Sequence, residues 1–199
     1  MLIFWKERLV FLANTRCGST SIESALESLA HVAVQRPPPL KHTSASAFRR
    51  YLAPYLELAA GEAFTTVALM REPTDWLGSW YRHRQRADLP LGEPSTDGMA
   101  YPDFVTSFLS DSPPPVARLE SQAEFLSGPD GGPLVDRIFR YEDLGGFLAF
   151  LEERLDCEIT LPRDNVAPSA STELTQELSA RLRERFAPDY VIYDALTPR

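Results

Sequence analysis

Two short uncharged runs, Leu9-Val10-Phe11-Leu12-Ala13 and Phe64-Thr65-Thr66-Val67-Ala68-Leu69-Met70, each stop at a polar turn that opens a stretch of helical periodicity. Runs this short, apolar or β-branched throughout, suit strands buried on both faces. After the first, Ile22, Ala25, Leu26 and Leu29 recur at helical spacing; after the second, Trp76, Leu77, Trp80, Tyr81 and Arg84 do so. Strands of this kind alternating with helices fold as a parallel sheet covered on both sides. The expected fold is therefore α/β, a central parallel sheet flanked by helices. A length of 199 residues predicts one domain, 1–199, with a core that needs no staples.

The other elements follow from the same signals. Thr20 and Glu23 read as a capping box on the first helix. His31–Val34 reads as a second strand, stopped by Arg36-Pro37-Pro38-Pro39. A helix is expected over Ala45–Leu58, with Phe48, Leu52, Tyr55 and Leu56 facing inward. Another starts at Pro73, since proline suits a first helical turn. Ala87–Tyr101, rich in Pro, Gly and Asp, reads as a surface loop of a length that usually serves binding or is disordered. Helices are expected at Pro102–Leu109, Val116–Leu126, Asp143–Leu155 and Glu173–Phe186, and a strand at Val135–Arg140. Pro162–Ser171 reads as irregular and Asp189–Tyr193 as extended. There is no internal repeat and no heptad pattern.

Composition narrows the function classes. Lys+Arg 20 against Asp+Glu 28 gives a net charge of −8, which makes the chain a poor general nucleic-acid binder, since phosphate neutralisation needs a basic face. The two cysteines, Cys17 and Cys157, cannot make a disulfide framework or a four-thiolate zinc site, and no metal site is expected. The opening MLIFWKERLVFLA is broken by Lys6, Glu7 and Arg8 and lacks the pattern of a signal peptide. No run approaches the roughly 18 apolar residues of a membrane span. The expectation is a cytoplasmic protein with neither nucleic-acid nor membrane partners.

An acidic chain can still hold an anion where cations gather locally. Loop Arg16–Ser21 sits where a helix offers unpaired N–H groups and the positive end of its dipole. Gly18 permits close backbone approach, Ser19, Thr20 and Ser21 add hydroxyls, and Arg16 adds a planar charged fork. The alternative is a capped helix with solvated hydroxyls. The loop lacks the first glycine and the Lys-Ser/Thr pair of a nucleotide triphosphate loop, and the strand at Phe64–Met70 ends in Arg71 rather than a magnesium-binding Asp. Arg71, with Ser79 two helical turns on, marks a second anion-binding segment. Its alternative is an ion pair of Arg71 with Glu72 or Asp75, although arginine at a helix start opposes the dipole and favours a bound anion.

Taken in order, these segments carry a resemblance. Thr15-Arg16-Cys17-Gly18-Ser19-Thr20-Ser21-Ile22 resembles the 5′-phosphosulfate loop of sulfotransferases that use 3′-phosphoadenosine 5′-phosphosulfate (PAPS). Arg71-Glu72-Pro73 with Ser79-Trp80-Tyr81 resembles their 3′-phosphate segment. Arg140-Tyr141-Glu142-Asp143-Leu144 is similar to a strand-to-helix junction of that family, as are Asn165 before Pro168-Ser169 and the ending Phe186-Ala187-Pro188-Asp189-Tyr190. The likeness is nearest the carbohydrate-type and bacterial members. It implies a P-loop-like sulfotransferase architecture and transfer of sulfonate from PAPS, leaving 3′-phosphoadenosine 5′-phosphate (PAP), to a hydroxyl or amine of a small-molecule or carbohydrate acceptor. It also implies cofactor binding by Arg16, Cys17, Gly18, Ser19, Thr20, Ser21, Arg71 and Ser79. Two positions depart from the family. Arg16 stands where lysine is usual, and Trp76 stands about where a second basic residue often lies. A nucleotide-kinase-like phosphotransferase and a non-catalytic nucleotide-binding module are the alternative readings.

Sulfonyl transfer needs a base for the acceptor's proton. His42, at a predicted strand-to-helix junction, is the candidate beside Arg16 for a catalytic role; a helix-capping or exposed histidine is its alternative. Lys41, Glu23 and Gln122 are weaker candidates. His31 reads as structural and His83 as solvated. Cys17 lies where an anion loop can lower a thiol pKa, but no base accompanies it in sequence.

Overall fold

The computed structural model describes residues 1–162 and 171–196. It is α/β, with a five-stranded sheet in the order β3-β1-β2-β4-β5. Strand β2 (Leu9–Leu12) runs parallel to β4 (Thr65–Met70), and β4 runs parallel to β5 (Arg137–Arg140). The sheet is mixed rather than wholly parallel. β1 (Leu2–Phe4) pairs antiparallel with β2, Leu2 facing Phe11, and β3 (Val32–Ala33) pairs antiparallel with β1. The charged interruption Lys6-Glu7-Arg8 explains the difference. It forms a turn that reverses the chain, with Arg8 in left-handed backbone (φ 50°) and its guanidinium over the Trp5 ring, so one apolar opening becomes a hairpin.

Side chains of β2 alternate between two apolar layers, and all of its residues are buried. Leu9 and Phe11 face the layer built by α1 (Ser19–Leu26), α5 (Pro73–Arg84), α6 (Tyr101–Phe108), α8 (Leu144–Leu155) and α9 (Gln176–Arg185). Val10 and Leu12 face the layer of α3 (Ala45–Ala47), α4 (Ala53–Ala60), α7 (Gln122–Leu126) and α10 (Ala187–Ala195). A short helix α2 (Pro38–Lys41) precedes α3. No helix among the described residues is long and apolar enough to cross a membrane.

Four local expectations are corrected. The Thr20–Glu23 capping box does not form. The N-cap of α1 is Gly18 in left-handed backbone, without a side-chain cap, and Glu23 is buried against Lys41 Nζ (2.7 Å) and the Met1 amino group (3.0 Å). The helix expected over Ala45–Leu58 contains a π-helical turn at Phe48–Leu52. Such a turn shifts the phase of the residues that follow, so Phe48 and Leu56 are buried while Tyr55 is 70% exposed. The segment Val116–Leu126 is divided into a 3₁₀ turn at Pro115–Ala117 and α7, which starts at a true capping box of Ser121 and Glu124. The segment Asp189–Tyr193 is helical. Pro188 opens a fresh turn directly after Phe186, and Asp189, Ile192 and Tyr193 form the buried face of α10.

Candidate functional site

The parallel strands β2, β4 and β5 deliver three loops to one edge of the sheet, the carboxyl edge at which α/β folds place ligands. The first loop, Asn14–Gly18, turns sharply because Arg16 (φ 59°) and Gly18 (φ 72°) are both left-handed. Turns of this kind gather backbone N–H groups into a concavity suited to anions. The first intrahelical bond of α1 runs from Ile22 N–H to the Gly18 carbonyl (3.2 Å), so the N–H groups of Ser19, Thr20 and Ser21 precede it and have no capping side chain. Ser19 is buried, Ser21 half-buried and Thr20 exposed.

Arg16 lies half-buried between the first two loops. Its Nε–H donates to Ser79 Oγ (3.2 Å), and its guanidinium sits 5.9 Å from the Trp80 ring centroid. Among the described residues it makes no ion pair, and Arg71 is its charged neighbour: Arg71 Nη1–H donates to the Arg16 carbonyl (3.3 Å). Burial first, and then the charge of Arg71, pulls the Arg16 guanidinium down to about 10, which still leaves it cationic at neutral pH. Arg71 itself takes the alternative partner. Its Nε–H donates to Asp75 Oδ2 (2.6 Å), and Asp75 is shared with Arg82 (3.1 Å). Its face stacks over Tyr141 at 4.8 Å, and Nη2 makes no hydrogen bond among the described residues. Arg71 and Ser79 thus flank Arg16, and Ser79, buried in α5, answers Arg16 rather than Arg71.

Gly18 has two reasons to be glycine. Its φ is left-handed, and a Cβ there would lie 3.0 Å from Tyr141 Cε2, from the third loop. Gly18→Ala is expected to destabilise the fold by about 1–2 kcal/mol through the left-handed backbone alone. It should also push Tyr141 from beneath Arg71. Thermal unfolding reads the first effect; the second is read as weaker anion binding.

Trp76 is a core residue, fully buried, whose Nε1–H donates to the Thr15 carbonyl (3.0 Å) and whose ring meets Trp80 and Phe186 edge-on. It ties the first loop to α5 and offers no charge to a phosphate. Gln122, on sequence a weaker candidate for the acceptor's base, is the polar hub of the site. Its Oε1 accepts from Arg71 N–H (2.9 Å) and Asn14 Nδ2–H (3.3 Å) and lies 3.2 Å from Cys17 Sγ, while its Nε2–H donates to the Arg71 carbonyl (2.8 Å). An amide so committed cannot take a proton. Cys17 points into the core, so only its backbone can face a ligand, and burial pushes its thiol up to about 12. The lowered thiol pKa open to an anion-loop cysteine is therefore not found.

His42 follows α2 and reaches the end of β2. Its Nδ1 lies 2.6 Å from the Ala13 carbonyl. A carbonyl can only accept, so Nδ1 carries the proton and Nε2 of the neutral ring keeps its lone pair. Burial, the largest cause, and the charge of Lys41 lower the imidazole pKa against the pull of the Ala13 bond and Glu23. Glu23 and Lys41 are consumed by their mutual ion pair. His31 accepts from Trp5 N–H (3.1 Å) at Nδ1, a structural bond. His83 is not solvated as expected from its arginine-rich neighbourhood. Its Nδ1 is buried without a hydrogen-bond partner among the described residues, its ring meets Trp80 edge-on, and burial together with Arg16, Arg86 and Arg84 lowers its pKa to about 4.

Among the described residues no group of His, Cys, Asp and Glu is placed to hold a metal ion. Asn165, Pro168 and Ser169 lie outside the described residues. No family model matches the sequence, and no curated protein matches it at a significant level.

Proposed function

We propose that the chain is a sulfotransferase of P-loop-like architecture that moves sulfonate from PAPS to a hydroxyl or amine of a small-molecule or carbohydrate acceptor. The observation that carries this reading is Arg16. A half-buried cation beside a second arginine, in a chain of net charge −8, has no carboxylate of its own among the described residues. Uncompensated buried charge is costly, and an anion at the adjacent start of α1 relieves the cost. A 5′-phosphosulfate fits the uncapped N–H groups of Ser19–Ser21 and the Arg16 fork, and a 3′-phosphate fits Ser79 with the free Nη2 edge of Arg71.

In this reading Arg16 and the loop N–H groups bind the phosphosulfate and stabilise negative charge growing on the oxygen that bridges phosphorus and sulfur. Preorganised donors of this kind often supply the largest share of a rate enhancement. His42 Nε2 takes the acceptor's proton as the acceptor oxygen or nitrogen bonds to sulfur. The sulfur–oxygen bond to the 5′-phosphate breaks, and PAP departs with that electron pair. The segment Ala87–Tyr101, which follows α5, shapes the acceptor pocket.

Calorimetry with PAP, run beside magnesium ATP, tests the assignment. PAP is expected to bind and to raise the melting temperature, by an amount corresponding to about 2.7 kcal/mol at a hundredfold excess over Kd. Magnesium ATP is expected to do neither. Equal or stronger stabilisation by magnesium ATP would overturn the donor assignment in favour of a phosphotransferase.

A further inference from the structure

The last described helix, α10, braces the second and third loops of the site and the start of α7. Tyr193 Oη–H donates to Glu142 Oε2 (2.9 Å) on the third loop, and Glu142 Oε1 accepts from Glu72 N–H (2.8 Å) on the second. Tyr190 Oη–H donates to Glu72 Oε1 as well. The deepest contact is that of Asp189, 1% exposed, whose Oδ1 accepts from Ala123 N–H (3.1 Å), with the Gln122 N–H as a further donor. Asp189 therefore grips the backbone of α7 at the residue whose side chain, fully buried, bonds both anion loops.

We infer that Gln122 is a positioning residue, held from α10 by Asp189, that sets the first and second loops at the spacing a bisphosphorylated nucleotide requires. The inference deepens the sulfotransferase reading and rests on it for the ligand. The geometry explains why an amide is used. The Gln122 carbonyl must accept from Arg71 N–H while the Gln122 N–H₂ donates to the Arg71 carbonyl, so both backbone groups of Arg71 are fixed by one side chain. The same carbonyl draws in Asn14, which in turn bonds the Leu69 carbonyl (3.0 Å) at the end of β4. A buried backbone left without these partners would move toward water, and the two loops would separate.

Cys17 reports the state of this clamp independently of nucleotide, because its Sγ rests on Gln122 Oε1 and is buried. The experiment uses the full chain with Cys157→Ser, at pH 8, and compares Gln122→Met, Asp189→Ala and Asp189→Asn. Readouts are the rate at which a thiol reagent labels Cys17, PAP affinity by calorimetry, and the melting temperature. Gln122→Met and Asp189→Ala are expected to speed Cys17 labelling at least tenfold and weaken PAP at least tenfold. Asp189→Asn keeps an acceptor for Ala123 N–H and is expected to restore both to within about threefold of the parent. A purely structural role would lower the melting temperature of all variants and leave labelling and affinity at parental values, which would overturn the inference; so would failure of Asp189→Asn to restore them where Asp189→Ala loses them. Should Gln122→Met not fold, the Asp189 pair decides alone. If the parent binds no PAP, the donor assignment fails, while Cys17 labelling still tests the clamp.

Discussion

Assayed with PAPS and an identified acceptor, His42→Ala is expected to turn over about 10²–10⁴-fold more slowly than the parent, with PAP affinity unchanged. The ring is anchored through Nδ1–H to the Ala13 carbonyl, so Nε2 is the atom that accepts a proton. The pH profile gives the second arm. Burial disfavours the charged ring, so the folded pKa lies below the ordinary 6.5. His42 is then already neutral and basic at pH 7, and parental activity should fall only as pH drops below 6.5 through the lowered value. Turnover near the parental rate with the same acid limb in His42→Ala would place the base elsewhere. Glu23, the next carboxylate in sequence reach, is not a replacement while it is closed into its ion pair with Lys41.

Arg16→Ala is expected to cut turnover by roughly a hundredfold or more, the usual loss for one oxyanion-stabilising donor, and to weaken PAP less than that. Removing the side chain relieves a half-buried cation that has no carboxylate partner among the described residues, so the melting temperature should hold or rise. That combination, a steadier fold with a slower enzyme, is what a charge kept for a ligand predicts. Arg16→Lys should retain activity, since the resembled family uses lysine there and either side chain supplies a cationic donor. An inactive lysine variant with normal PAP binding would count against the role. A lower melting temperature in Arg16→Ala would mean that its bond to Ser79 and its place beside Trp80 are what the arginine is for.

Local patterning explains why the strands and most helices were legible. β2, β4 and β5 are short apolar or β-branched runs, and no other local structure buries them so well. The loop at Arg16–Ser21 was legible too, because a helix start after a buried strand exposes its own N–H groups wherever it occurs. β1 was missed because direction of pairing is not a local property. Leu2–Phe4 alternates no differently for an antiparallel than for a parallel neighbour, and the reversal depends on the turn at Trp5–Arg8. The π turn at Phe48–Leu52 was missed for a related reason: a shifted helical phase appears only when the buried face is known.

The partners of the polar residues divide the same way. Residue type and spacing were enough to nominate Arg16, Arg71, Ser79 and His42, since few side chains can bind a phosphate or take a proton. Which of these cations is committed and which is free depended on distances of an ångström or two between residues far apart in the chain. Arg71 found Asp75, four residues on, whereas among the described residues Arg16 found Ser79, the Trp80 ring and a second arginine, and no carboxylate. Gln122 carries no motif, and the resembled ending Phe186–Tyr190 that contains Asp189 gives that carboxylate no role, because an amide or a carboxylate becomes a clamp only when its hydrogen bonds are buried and cross between elements. Sequence by itself determined the alternation of buried strand and helix and the chemistry available at the loop. The tertiary fold alone decided strand direction, which charges cancel, and which side chains brace the loops, because each depends on contacts whose cost or benefit exists only once water has been excluded.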